Sequence, residues 1–345
     1  MDSTWQVRLL FGWFKKMNER PDVSVVMSVY NGAAHLRETI DSILNQKGVL
    51  LEFVIVNDGS TDQSPQILYE YAEREPRVRI IHQENQGLTR ALIAGCAAAT
   101  GDYIARQDVG DISLPGRLLL QKSTLDRNDD VVYVSCWSEY CGPEWEFLYV
   151  VKGTGRAGLP AHIIDLTETH GVMDGPTCHP SVMFRRESYL KGGGYRAEFY
   201  CGQDWDLWYR LAELGKFQVI EQSLYRVRIL PTGISIRNRK IQQSLARLSY
   251  EALLQRSRSQ SDQNILEQAC QIRPVSSKAN KKTNQAAGLY FIGECLRRRN
   301  DQASITYFQK AIRQSPLSIK PWIRLIQCKI NQGLKVVSRQ HTSAS

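Results

Sequence analysis

The front two thirds of the chain alternate short apolar runs with amphipathic stretches, the pattern of a mostly parallel sheet whose strands are joined by crossover helices. Val23 to Val29 (VSVVMSV) and Glu52 to Asn57 (EFVIVN) read as buried strands, and Ala33 to Gln46 between them carries Leu36, Ile40, Ile43 and Leu44 at helical spacing. The unit repeats, with Gln66 to Glu73 as helix and Val78 to His82 as strand, then Leu88 to Ala99 as helix and Asp102 to Ala105 as strand. Side by side, the four strands present Tyr30 and Asn31, Asp58-Gly59-Ser60, and Gln107 with Asp108 to Asp111 at their C-terminal ends. In an open α/β sheet that edge binds ligands.

Residues 143 to 180 hold many Gly and Pro without a period, which predicts an irregular insertion with one short strand around Phe147 to Val151. Ser181 to Arg185 reads as a strand, and Asp204 to Leu214 as a helix with Leu207, Trp208, Leu211 and Leu214 on one stripe. Beyond Ser235 the sequence turns Gln, Ser, Arg and Ala rich, so the main α/β domain is expected over 21–236 and a basic helical appendage over 237–334. Within it, residues 283–325 resemble one tetratricopeptide-type helix pair, with Phe308, Ala311 and Pro316 at the relative spacing and Gly293 and Ala303 one position out. An ordinary helical hairpin packed on the main domain is the equal alternative. Residues 335–345 are expected to be disordered. Residues 1–20 form an amphipathic arm in which Trp5, Leu9, Leu10, Phe11, Trp13 and Phe14 lie among Arg8, Lys15 and Lys16; it reads as an interfacial helix or as an arm docked on the appendage.

Charge sharpens this division. Residues 1–236 carry 24 Lys and Arg against 30 Asp and Glu, whereas residues 237–345 carry 20 against 5. A basic tail attracts anionic lipid, nucleic acid or an acidic partner alike, and no zinc-finger, RRM or helix-turn-helix signature accompanies it, so no nucleic acid is expected. Eight cysteines are spread without a CxxC pair, and no stretch approaches the roughly 18 to 20 apolar residues that span a bilayer. The expectation is a reduced, cytoplasmic protein, with a peripheral place on the inner face of the membrane as its extension.

The strings VSVVMSVYNG (23–32), VIVNDGSTDQS (54–64), NQGLTRAL (85–92), GDYIARQDVGDISLPGRLLLQ (101–121), HPSVMFRRES (179–188) and GQDWDLWYRLA (202–212) together resemble the family 2 glycosyltransferases, over roughly residues 21–236. The resemblance implies a GT-A fold, Rossmann-like with flanking helices, and inverting transfer of a sugar from a nucleoside diphosphate to a hydroxyl of a glycan or lipid-linked acceptor in cell-surface polysaccharide synthesis. By that resemblance Val29, Tyr30, Asn31, Asp58 and Gly59 bind the donor, with Tyr30 and Asp58 holding uracil or a similar pyrimidine through a stacking face and an acceptor. Arg90 and Asp108 reach towards the diphosphate. Taken alone, Asn57-Asp58-Gly59-Ser60 is also ordinary turn chemistry.

Asp108-Val109-Gly110-Asp111 stands where the family carries an Asp-x-Asp followed by another Asp, and here Gly110 replaces the second carboxylate. Mg²⁺ or Mn²⁺ held by Asp108 and Asp111 is one expectation. Metal independence is the other, with Arg228, in a place where the family commonly has His, neutralising the departing diphosphate. Asp204 is the expected general base, at a helix start that also suits a simple N-cap. His179 and Trp205 are expected to line the acceptor pocket. No HExxH or GxSxG motif supports a hydrolase. The rival reading is a non-catalytic nucleotide-sugar or glycan binding subunit whose metal motif decayed at Gly110; a nucleotidyltransferase lacks its glycine-rich phosphate loop after the first strand.

Overall fold

A computed structural model describes residues 20–153, 172–173, 175–231, 239–273 and 281–342. The N-terminal arm before Arg20 and half of the irregular insertion, residues 154–171 and 174, fall outside the described residues. Strand β1 (Val23–Val29) leads through helix α1 (Ala33–Leu44) to β2 (Leu51–Asp58), α2 (Ser64–Arg74), β3 (Val78–Gln83), α3 (Leu88–Ala98) and β4 (Tyr103–Asp108). The four strands pair in parallel in the order β3-β2-β1-β4. The chain thus runs outward from β1 and then returns to its other side, so the switch point of the sheet, where open α/β sheets bind ligands, lies beyond the C-terminal ends of β1 and β4. Register brings those ends level: Val29 lies opposite Asn57, Ser28 opposite Asp108, and Asp58 opposite Gln83.

Both faces of this sheet are covered, as the continuous apolar runs require. Val23, Val25, Met27 and Val29 point into one core with Leu36, Ile40 and Ile43 of α1 and Leu68 and Tyr71 of α2. Val26, Val54 and Ile104 point into the other with Leu92 and Cys96 of α3. This is the period-2 alternation of a strand applied on two sides.

After β4 come β5 (Ile112–Ser113), α4 (Arg117–Arg127), β6 (Val131–Cys141), β7 (Phe147–Gly153), β8 (Val172–Met173), a 3₁₀ turn (His179–Ser181), β9 (Met183–Arg185), α5 (Arg186–Lys191), α6 (Gln203–Ala212) and β10 (Lys216–Arg228). Strand β9 lies antiparallel between β4 and β6, β10 runs parallel to β6, and β5 closes the edge antiparallel to β10. The sheet is therefore mixed, its parallel half joined to the rest through one reversed strand. The apolar pattern does not announce β10, because its register against β6 shifts between Ile220 and Ser223 and again before Tyr225, which breaks the alternation.

Among the described residues five helices follow. Helices α7 (Arg239–Ser257) and α8 (Gln263–Gln271) share a core with Phe199 and Cys201 just ahead of α6. Helices α9 (Lys281–Arg298) and α10 (Ala303–Gln314) pack with Leu148 of β7 through Leu289, Ile292, Leu296 and Tyr307. A side chain at Gly293 would begin 2.8 Å from the Phe308 ring, so this glycine permits the close approach of α9 and α10. Helix α11 spans Ile319–Thr342. Residues 335–342 contain neither Gly nor Pro, and each residue added to an existing helix closes a further backbone bond. All eight cysteines are unpaired, and no described helix is long and apolar enough to cross a membrane.

Candidate active site

At the end of β1, Tyr30 stands 53% exposed. Asn31 follows at φ +53, a left-handed conformation that Asn tolerates better than most residues. Its side-chain oxygen accepts the Thr61 amide at 2.8 Å and the Asp62 amide at 3.3 Å, and its own amide donates to Ser60 Oγ at 3.0 Å. Asp62 in turn accepts the Ala33 amide at the head of α1 at 3.0 Å. The loop after β2 is thus clamped to the loop after β1. Gly59 makes the bend possible: its φ is +72 and a Cβ would stand 2.7 Å from the Asn85 amide nitrogen. Val29 contributes its backbone, with its side chain in the core.

Asp58, expected to face a base, is 2% exposed. One carboxylate oxygen accepts Gln83 Nε2 at 2.7 Å and the Gln86 amide at 2.9 Å, and the other accepts the Gly87 amide at 2.9 Å. Three of its acceptor positions are thus taken up at the start of α3 and by the end of β3. In the first turn of that helix, Thr89 donates to the carbonyls of Phe199 and Tyr200 at 2.8 and 3.3 Å. A chain of hydrogen bonds therefore runs from the end of β2 to the loop that delivers α6. Arg90, next to Thr89, is exposed.

The end of β4 is organised by a residue that the pattern analysis passed over. Arg106 is wholly buried; it donates to the carbonyls of Val26 and Gln107 and to Asp108 Oδ1 at 2.6 Å. A charged residue in the middle of the run YIARQD, on a strand with neighbours on both sides, was the available signal, since a buried charge demands a partner. Asp108 retains a second oxygen and a side chain 38% exposed. Asp111 does not join it. Its carboxyl is buried, accepting the Tyr225 hydroxyl at 3.1 Å and the Arg228 amide at 2.9 Å. Burial, reinforced by the nearby Asp108 charge, pushes its pKa well above the usual carboxylate range.

Gly110 sits at φ +98 beside open space, with no side chain to offer. A protein-held cation site from Asp108 and Asp111 does not fit this geometry, and among the described residues no group of three or more His, Cys, Asp and Glu converges on a point. Asp108 keeps one carboxylate oxygen that takes no protein donor among the described residues. Arg228 is also otherwise engaged. Its guanidinium pairs with Glu38, reaches His35 Nδ1 at 2.8 Å and lies 3.8 Å from the centre of the Trp145 ring. It fastens β10 to α1 and to the β6–β7 hairpin instead of pointing a free fork at a diphosphate.

Asp204 lies in the first turn of α6, entered through Gly202 in a left-handed conformation. It is partly buried. Burial raises its pKa to about 6, opposed by the Trp205 amide and the Arg106 charge, with Asp108 adding to the rise. The neighbouring acid does something else: Asp206 is buried and ion-paired with Arg210 at 2.6 Å. His179, on the 3₁₀ turn beside β4, meets the Tyr195 hydroxyl at 2.7 Å and stands edge-on to Trp208. Burial and the Arg106 charge hold its pKa well below the ordinary value, so it is neutral. Trp205 packs on Trp208 and Tyr209 and is partly buried. Arg106 thus pairs with Asp108, and its charge acts on Asp204 and His179, while Asp58, Asp111 and Arg228 are engaged within the protein.

The family model for glycosyl transferase family 2 matches residues 24–190. A protein of Bacillus subtilis named "Putative glycosyltransferase EpsE" is 33% identical over 225 residues, covering 61% of this chain and 74% of that protein. The chain belongs to glycosyltransferase family 2. Among solved structures, a mannosyltransferase from Pyrobaculum calidifontis in complex with GDP-Man and Mn²⁺ superposes with a TM-score of 0.50 at 16% identity, over 98% of this chain and 91% of that one. GalNAc-T7 with UDP, GalNAc and Mn²⁺ gives 0.50 at 18% identity, over 61% of this chain and 43% of that one. At such identities the likeness concerns the GT-A fold, which this family 2 enzyme shares.

Two substitutions test the struts and the buried charge. Asp58→Asn turns an amide donor towards one of three N–H groups and should cost about 1–3 kcal/mol in urea denaturation; a purely ligand-facing Asp58 would leave stability unchanged. Arg106→Met strands the carboxylates above it, with an expected loss of about 3–5 kcal/mol. Where enough folded protein survives, removing the cation should raise the apparent pKa of Asp204 in a pH–rate profile.

Proposed function

We propose that the chain is an inverting transferase that moves a sugar from a nucleoside diphosphate, UDP first, to a hydroxyl of a glycan or lipid-linked acceptor in polysaccharide synthesis. The observation that carries the reading is Asp204: a carboxylate at a helix head, with its pKa raised to about 6 and beside the end of β4. In transfer with inversion, the acceptor hydroxyl gives its proton to Asp204 as its oxygen bonds to the anomeric carbon. The sugar–diphosphate bond breaks with its electron pair leaving on the diphosphate. A base with this pKa is ionised near neutrality yet strong enough to accept the proton. His179 is neutral and bonded to Tyr195, so its part is to shape the acceptor side with Trp205.

Tyr30 offers the exposed ring on which a base stacks, and the Asn31–Asp62 clamp and the Asp58 strut hold the loop beneath it. The solved structures described with UDP or with GDP-Man make both nucleotides worth testing, with UDP preferred by the sequence resemblance. Mg²⁺ or Mn²⁺ at Asp108 would offset the charge of the leaving diphosphate. A membrane-peripheral, cytoplasmic setting suits a lipid-linked acceptor.

Asp204→Asn keeps the shape but cannot take the proton, so turnover should fall by about 10² to 10⁴ while donor affinity stays within a few-fold. The wild-type rate should fall about tenfold per pH unit below about 6, because protonation removes the base. His179→Gln should keep that acid limb in place. If a divalent ion accelerates the wild type, Asp108→Asn should abolish the acceleration and Asp111→Asn should preserve it; a rate untouched by EDTA would favour metal independence. Should no donor give transfer that Asp204→Asn removes, the binding-subunit reading replaces this one.

A further inference from the structure

Helix α11 carries two apolar faces. Pro321, Leu325 and Cys328 face inwards, and the last two pack with Phe308 and Ile312 of α10. On the opposite side lie Ile319 (71% exposed), Trp322 (45%), Ile323 (48%), Ile326 (56%) and Ile330 (56%), preceded in the loop by Leu317 (96%). At roughly 100° per residue these five helical positions fall within a stripe about 100° wide, turned away from the core. Lys320 and Lys329 border it on either side, both exposed. A single exposed apolar residue is ordinary, but a continuous stripe of this size marks a surface that meets something.

Charge selects the occupant. Residues 281–342 carry twelve Lys and Arg against two acidic residues, Glu294 and Asp301, and α11 itself has no acidic residue. Glu294 is already paired with Arg297, Arg298 and Arg324. A second copy docked on the same stripe would bring lysines against lysines with no carboxylate on the helix to relieve them. An anionic bilayer surface complements both features: headgroups meet the bordering lysines, and Leu317, Trp322 and the isoleucines enter the boundary of the acyl chains. Trp322 suits that depth, its ring apolar and its indole N–H bonded to the Pro316 carbonyl at 3.0 Å.

We infer that the outer face of α11, from Leu317 to Ile330, docks the protein on an anionic lipid surface. The inference stands on the appendage alone and is independent of the transfer chemistry. Its test is co-sedimentation of the full chain with phosphatidylcholine vesicles, with and without phosphatidylglycerol, comparing wild type with Ile323→Glu/Ile326→Glu. Both positions are exposed, so the variant should keep its circular dichroism, melting and UDP binding. Expected are wild-type binding to the anionic vesicles, weakened by salt because the Debye length falls to about 3 Å at 1 M, and at least about a tenfold loss in the folded variant. The inference is overturned if the variant binds anionic vesicles as wild type does, or if the wild type binds neither vesicle. It is equally overturned if gel filtration shows a dimer that the variant splits without vesicle binding, which would assign the face to a second copy.

Discussion

The buried guanidinium of Arg106 is the constraint around which the candidate site is arranged. It sits on β4 where the parallel half of the sheet meets the reversed strand β9, its own amide donating to Val182 and its side chain to Val26, Gln107 and Asp108. A cation with no exposure costs several kcal/mol unless charges and carbonyls surround it. Here Asp108 and the carbonyls of Val26 and Gln107 supply that compensation, and the same charge acts on two further candidate site residues. Asp108 is held at the end of β4, Asp204 is kept from rising further into the protonated range, and His179 is kept neutral. A second buried guanidinium, Arg117, binds the carbonyls of Arg106 and Pro180 at 2.8 and 2.7 Å, tying α4 to β4 and to the turn that bears His179. Fold stability and site electrostatics therefore depend on the same two arginines.

The opposite wall is built by carboxylates and amides that close loops. Asp58 holds the start of α3, Thr89 holds the loop before α6, and Asn31 with Asp62 joins the first two sheet loops. Each link is short and mostly satisfied by backbone groups, which makes it rigid, and rigidity lets an acceptor oxygen be held against a donor carbon. Motif residues can thus act by positioning others. Asp206 shows it within DWD: two residues from Asp204, it is buried against Arg210 and supports the helix.

The change from Asp to Gly at 110 has a local explanation in this chain. At φ +98 a side chain is strained, and Asp111 beside it is drawn inwards by Tyr225 and the Arg228 amide. Arg228 closes the same corner by pairing with Glu38 and lying over Trp145, which itself donates to Glu38 at 2.7 Å. The corner has become a structural joint, leaving Asp108 as the carboxylate with an uncommitted oxygen.

What the sequence determined by itself is whatever depends on neighbours along the chain. The βαβ rhythm of 23–108, the helix that starts near Asp204, and the set of family motifs all follow from local periodicity, turn residues and spacing. What only the tertiary structure decided is which polar atoms remain free. Asp58, Asp111 and Arg228 look available in one dimension and are engaged in three, while Arg106 looks incidental and lies at the centre. Strand β10 and the outward face of α11 belong to the same class, since a register shift and the side of a helix left uncovered are set by partners far away in sequence. The physical reason is that hydrophobic periodicity is a property of one segment, whereas desolvation and hydrogen-bond saturation are properties of everything packed around it.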